Sequence, residues 1–266
     1  MEQCLSNSLE LTFSEKVPFS LRVAASTITQ AMLNDNELIK ACEGSASRLL
    51  AYKFRNHRLR FLVLSGDQVP KFELRVYYFR PASLKAAIKK IAHGNIVRRK
   101  THVVRKLKRL GIDCVPVLHT HQLHLNGHHC GCYSVIRYLP EVQSLKEFLG
   151  RNADNLSADS PFLHSLSSFL WRLFTLGVWQ RQLSGGHILI ITRRDEPLCK
   201  FMLADLEHIR LMPISVPAYL RRRSLLYLGK RLRKHLGDNR RPVQYLYQCY
   251  AHYDPAVGRR LLSELE

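Results

Sequence analysis

Between residues 37 and 80, apolar positions alternate or cluster in short runs: 37–42, 48–54, 59–64 and 72–79. The runs are separated by Gly44-Ser45, Asn56-His57 and Gly66-Asp67. Short runs bounded by turn residues predict strands. The period then changes. Leu84, Ile88 and Ile91, and after them Ile96, Val97, Val103, Val104, Leu107 and Leu110, recur at helical spacing, with His93-Gly94-Asn95 between. This predicts two amphipathic helices, over 82–92 and 95–110. Strands 115–125 and 128–139 follow, joined by Asn126-Gly127, a pair suited to a type I′ hairpin turn.

Beyond Pro140 the pattern becomes helical. A short helix over 144–149 and a polar stretch over 150–160 precede an apolar helix that starts at Pro161 and stops before Gly177. Ser184-Gly185-Gly186 leads into strand 187–192, strand 200–204 follows, and the chain is helical from Val216 on. A β-rich front, a linking strand and a helical back predict an α+β, bilobal layout. Residues 1–36 read as an N-terminal extension, 37–139 as a small lobe including the linking strand, and 140–266 as a larger helical lobe.

Charge changes the picture. The 266 residues carry 41 Lys+Arg against 21 Asp+Glu, a formal net charge of +20. From Leu74 to Ile112 there are twelve Lys/Arg and no Asp or Glu, and a second block runs from Arg221-Arg222-Arg223 to Lys234. Such a surplus predicts an anionic partner. Neither block interleaves aromatics, as single-strand nucleic-acid binders do, so nucleic acid is disfavoured. No run of 18 apolar residues is present, the start lacks a signal-peptide pattern, and seven irregularly spaced cysteines do not form a disulfide framework. A cytoplasmic protein is expected.

His119, His121, His124, His128, His129, Cys130 and Cys132 crowd into fourteen residues. A two-residue turn would set His121 opposite Cys132 and Leu123 opposite Cys130, on one face of the hairpin. His121, Cys130 and Cys132 would then make a zinc set, but Cys-x-Cys is not the usual Cys-x2-Cys knuckle. The expectation is a polar hairpin with buried cysteines.

The segment 176–190, with Gln180-Arg181-Gln182 and then His187 before a strand, and with Ala204-Asp205 ending the next one, has the layout of a kinase catalytic loop and metal-binding strand. With Leu74-Arg75-Val76-Tyr77-Tyr78-Phe79-Arg80, Arg98-Arg99-Lys100, Leu107-x-x-Leu110-Gly111-Ile112-x-x-Val115-Pro116, Tyr138-Leu139-Pro140-x-x-x-Ser144-Leu145, and the tail from Tyr219 to Tyr250, the chain resembles the lipopolysaccharide kinase (Kdo/WaaP) family over residues 37–260. The resemblance implies a protein-kinase-like fold, ATP and Mg as cofactors, and an inner-core sugar of a glycolipid as acceptor. Contact would then be peripheral, at the inner membrane face.

The same resemblance puts Gln182 at the catalytic Asp position beside Arg181, Gln180 at the preceding His, His187 at the metal-binding Asn and Asp205 at the metal-binding Asp. It puts Arg75 at the third-strand Lys and Lys100 at its Glu partner. Gly44 and Ser45 fall in the loop expected over phosphates, whose backbone N–H groups could hold them. Gln cannot take a proton at neutral pH. Two cations at 75 and 100 would repel, unless Glu73, on the same strand face as Arg75, pairs with Lys100 and leaves Arg75 to the phosphates. Two functions stand side by side: an impaired ATP-dependent core kinase, and a pseudokinase kept as a binding or regulatory module.

Overall fold

The computed structural model describes residues 10–13, 48–55, 58–64, 70–78, 96–125, 128–140, 142–191, 199–237 and 239–265. Gly44, Ser45, the strand expected at 37–42 and the helix expected at 82–92 lie outside them. The chain divides into two compact units, Met1–Thr101 with Pro116–Leu139, and His102–Val115 with Pro140–Glu266.

The first unit is built on a six-stranded sheet in the order β1-β2-β3-β4-β6-β5. Its strands are β1 (Glu10–Phe13), β2 (Arg48–Arg55), β3 (Arg58–Leu64), β4 (Pro70–Tyr78), β5 (Val117–Leu125) and β6 (His128–Arg137). All neighbours are antiparallel except β1, which pairs parallel to β2. Strand β1 falls inside the stretch 1–36 that the sequence pattern sets apart as an extension. On β4, Phe72, Leu74 and Val76 bury one face completely or nearly so, the alternation expected of a strand packed on a core. Glu73 and Arg75 occupy the other face, opposite Ile136 and Ser134 of β6.

The β5–β6 hairpin corrects the expected register. Leu125 pairs with His128 as expected, but a bulge follows: His124 faces His129, and Leu123 faces Gly131. One extra residue on a strand flips every later side chain relative to its partner. His121 therefore faces Tyr133, on which its ring stacks at 5.2 Å, while Cys132 faces Gln122 and is buried. His121 and Cys132 point to opposite faces, so they cannot share a metal ion.

Helix α1 (Ile96–Arg109) carries Lys100 in its first unit portion. Beyond Thr101 the helix counts with the second unit, although the sequence pattern groups 102–115 with the front lobe. Its end is closed by Gly111 at φ +64, with Arg172 donating to the carbonyls of Leu110 and Gly111 at 3.3 and 3.2 Å. A left-handed glycine past the last turn is the common helix stop.

The second unit holds helices α2 (Leu145–Asn152), α3 (Pro161–Thr175), α4 (Ala218–Leu236), α5 (Arg241–Tyr253) and α6 (Pro255–Leu262). Short strands accompany them: β7 (Val142–Ser144), β8 (Val178–Gln180), β9 (Ile188–Ile191), β10 (Lys200–Leu203) and β11 (Ile209–Leu211). Leu163, Leu166, Leu170 and Phe174 of α3 form its apolar stripe, meeting Leu225, Leu228 and Leu232 of α4 and Val243, Leu246, Tyr247 and Tyr250 of α5 in one core. Ser144 caps α2 through a reciprocal box with Glu147, its hydroxyl accepting from Glu147 N–H and its own N–H donating to the carboxylate. Gly229 lets the buried Tyr247 hydroxyl reach the Leu225 carbonyl; a Cβ there would lie 2.0 Å from that hydroxyl.

Candidate functional site

Each piece of the site is positioned by a simple local device. Helix α3 is stopped by Gly177 at φ +74, where a Cβ would come 2.5 Å from the Met212 carbonyl, so only glycine fits. The chain turns directly into β8, which pairs with β11, Gln180 opposite Ile209. Ser224, fully buried on α4, fixes that strand from behind. Its hydroxyl receives the Trp179 indole N–H at 3.0 Å and donates to the Gln180 carbonyl at 3.2 Å.

The loop after β8 exposes Arg181 and Gln182, buries Leu183, and closes with His187 N–H on the Ser184 carbonyl at 2.9 Å. Strands β9 and β10 pair antiparallel, Ile188 opposite Leu203, so the residues just outside that pair, His187 and Ala204, are joined by a backbone bond of 2.8 Å. Asp205 comes next. It is the only non-glycine residue with positive φ among the described residues, at φ 58 and ψ 51. A left-handed conformation costs a non-glycine residue energy, though least for Asn and Asp, whose short polar side chains bond locally.

These turns bring three side chains into a line. The Gln180 amide nitrogen lies 3.0 Å from His187 Nδ1, and His187 Nε2 lies 3.2 Å from Asp205 Oδ2. With the amide oriented this way, Nδ1 accepts and the ring proton sits on Nε2, donated to the carboxylate. His208 Nε2 stands 3.9 Å from the same oxygen. Gln180 is 4% exposed, and its amide oxygen is buried without a hydrogen-bond partner among the described residues. A neutral buried acceptor left so costs about 1–3 kcal/mol, an energy recovered by any donor that reaches it.

In the first unit, the Arg75 guanidinium grips both carboxylate oxygens of Glu73, Nε and Nη2 each at 3.0 Å. The buried Lys100 ammonium donates to Ser134 Oγ at 2.9 Å, and Ser134 Oγ lies 3.2 Å from Thr120 Oγ1. Glu73 thus pairs with Arg75 on its own strand. The reason is proximity: side chains two apart on a strand share a face.

No family model matches the chain, and no curated protein matches it. Among solved structures, WaaP in complex with acyl carrier protein matches over 85% of this chain and 90% of that one, with a TM-score of 0.54 and 15% sequence identity. The chain has the WaaP fold. The bilobal, protein-kinase-like α+β architecture expected from the sequence is thus the one observed. In this WaaP-like frame, Gln180, His187 and Asp205 are brought together, with His208 beside them, while Arg181 and Gln182 stand on the exposed loop. The sequence reading missed His208 and the brace from Ser224.

The donor set does not suit magnesium. Magnesium demands near-octahedral oxygen ligands at short distance. Here the aspartate oxygen is already engaged by an imidazole, a ligand that suits transition metals better.

Proposed function

We propose that this chain is a lipopolysaccharide-kinase-like protein that binds ATP and an inner-core sugar acceptor, Kdo or heptose, and transfers phosphate poorly. The observation that supports the reading is the Gln180–His187–Asp205 line on the segment matching a kinase catalytic loop. In phosphoryl transfer the protein contributes mainly positioning and charge stabilisation, with one residue orienting the nucleophile and relieving it of its proton. At that position Gln182 can orient a sugar hydroxyl but cannot take its proton. Arg181 beside it offers a cation for the phosphorylated acceptor. His187 occupies the Asp205 carboxylate, weakening the nucleotide-bound charge clamp. Arg75, Lys100, Gly44 and Ser45 are assigned to the nucleotide. Loss of the base slows the step rather than removing the binding surfaces.

The pseudokinase reading rests on the same residues taken further, with nucleotide or glycolipid bound and no transfer. The WaaP structure is of a complex with acyl carrier protein, and the same partner is proposed to co-purify with this chain. Among the described residues no helix is long and apolar enough to cross a membrane, and the contact proposed with the inner membrane is peripheral.

The deciding assay follows labelled phosphate from ATP to purified lipopolysaccharide core. Slow transfer that Asp205→Ala abolishes supports the kinase reading. ATP binding without transfer supports the pseudokinase reading, and neither binding nor transfer overturns both.

A further inference from the structure

The two most exposed large apolar side chains among the described residues flank one junction. Ile214 is 69% exposed and Tyr219 71% exposed, on either side of the Val216-Pro217 step into α4. The segment is not loose. Met212 N–H donates to the Gly177 carbonyl at 2.8 Å and Val216 N–H to the Phe174 carbonyl at 2.7 Å, fastening it over the end of α3.

Helix α4 then presents two unlike faces. Leu220, Ser224, Leu225, Leu228 and Leu232 are buried in the core. Tyr219, Arg222, Arg223, Leu226 and Lys230 recur at i, i+3, i+4, i+7 and i+11 on the other side, and the first four line a shallow depression of about 210 Å³. Arg223 and Lys230 are exposed, as is Arg210 on β11. Arg221 and Arg222 are held by Asp254 and Glu264, pairs that tie α4 to the chain's end. From Ile209 to Tyr253 the chain carries ten Lys/Arg and one acidic residue, Asp238.

We propose that this junction is a membrane-docking tip: Ile214 and Tyr219 enter the interface of a bilayer bearing anionic headgroups, while Arg210, Arg223 and Lys230 meet its phosphates. A Tyr ring and an aliphatic side chain rimmed by cations are the composition that lies in a headgroup layer. The exposed cations Arg210, Arg223 and Lys230 are complementary to an anionic leaflet. The tip deepens the glycolipid-acceptor reading, since a membrane-bound acceptor would be met there, but its test needs neither nucleotide nor turnover.

The test is co-sedimentation of the full chain with phosphatidylcholine vesicles and with vesicles containing phosphatidylglycerol. Binding is expected only to the second, falling as salt rises. Ile214→Glu and Arg223→Glu should each weaken it by about tenfold with unchanged melting temperature, and Ile214→Leu should retain it. Arg241→Glu, an equal charge reversal at an exposed site on α5, should change it far less. No preference for anionic vesicles, or equal losses from Arg241→Glu and Arg223→Glu, would overturn the tip, the latter by showing that net charge alone is read.

Discussion

His187 Nε2 stands 3.2 Å from Asp205 Oδ2, and Gln180 holds the other side of the same ring at 3.0 Å. The imidazole is thus fixed at both nitrogens, and the Asp205 carboxylate is fixed with it. Asp205 stands there in left-handed backbone, a conformation that Asp adopts at lower cost than most residues. The carboxylate has a protein donor of its own.

The line predicts how the site answers to substitution at 187. Asparagine there presents an amide oxygen in place of imidazole and leaves Asp205 free to take an oxygen-preferring ion. His187→Asn should raise the thermal stabilisation that ATP with magnesium gives over ATP alone. Asp205→Ala should abolish whatever stabilisation the wild type shows. An unchanged magnesium response in His187→Asn would detach the imidazole from the metal question.

Ser224 braces β8 from α4, and its loss leaves two buried groups, the Trp179 indole N–H and the Gln180 carbonyl, short of a partner. Ser224→Ala should cost about 1–3 kcal/mol in urea denaturation, the penalty of a stranded buried polar group. It should also shift Trp fluorescence, because Trp179 is one of the chain's two tryptophans. A cost below about 0.5 kcal/mol would show that the hydroxyl is not the brace.

Gly229 tests the packing of the same helix. Alanine is the better helix former by about 1 kcal/mol, so an open site would gain stability. Here the added methyl meets the Tyr247 hydroxyl, buried and bonded to Leu225. Gly229→Ala should instead destabilise by about 1–3 kcal/mol, the range for overpacking. Gly229→Ala combined with Tyr247→Phe should recover part of that loss.

The capping box gives a pH dependence. Bonds from the Ser144 backbone, first, and side chain hold the Glu147 carboxyl below its ordinary pKa. A group with a depressed folded pKa adds stability above its unfolded pKa and loses it as pH falls through the folded value. The stability gap between wild type and Glu147→Gln should therefore be present at neutral pH and close in acid, below the usual carboxylate range. Ser144→Ala should cost about 1 kcal/mol at neutral pH.

The sequence made the long elements legible because they repeat their period several times. Strands β2, β3 and β4, helices α1 and α3 and the Asn-Gly hairpin lie where alternation and helical spacing place them. The three-residue strands β7, β8 and β11 are too short to show a period, and they exist through pairing with distant segments. The hairpin register departs at a bulge beside His124 and returns at a second between Val117 and His119, because nothing in Leu123-His124 announces an extra residue opposite. At the site, motif order singled out Gln180, His187 and Asp205. It could not reveal that they bond to one another, which depends on the β9–β10 pairing and on a backbone turn at Asp205.

The most direct test places at 182 and 187 the Asp and Asn that the proposed kinase reading expects there. The measurement is the rate of phosphate transfer from ATP with magnesium to lipopolysaccharide core, for wild type and for Gln182→Asp combined with His187→Asn. A restored general base alone is worth about 10²–10⁴-fold, so the double variant should exceed the wild type by at least about 10². Equal rates in the two proteins would contradict the account, because Gln182 and the His187–Asp205 contact would then not be what limits transfer.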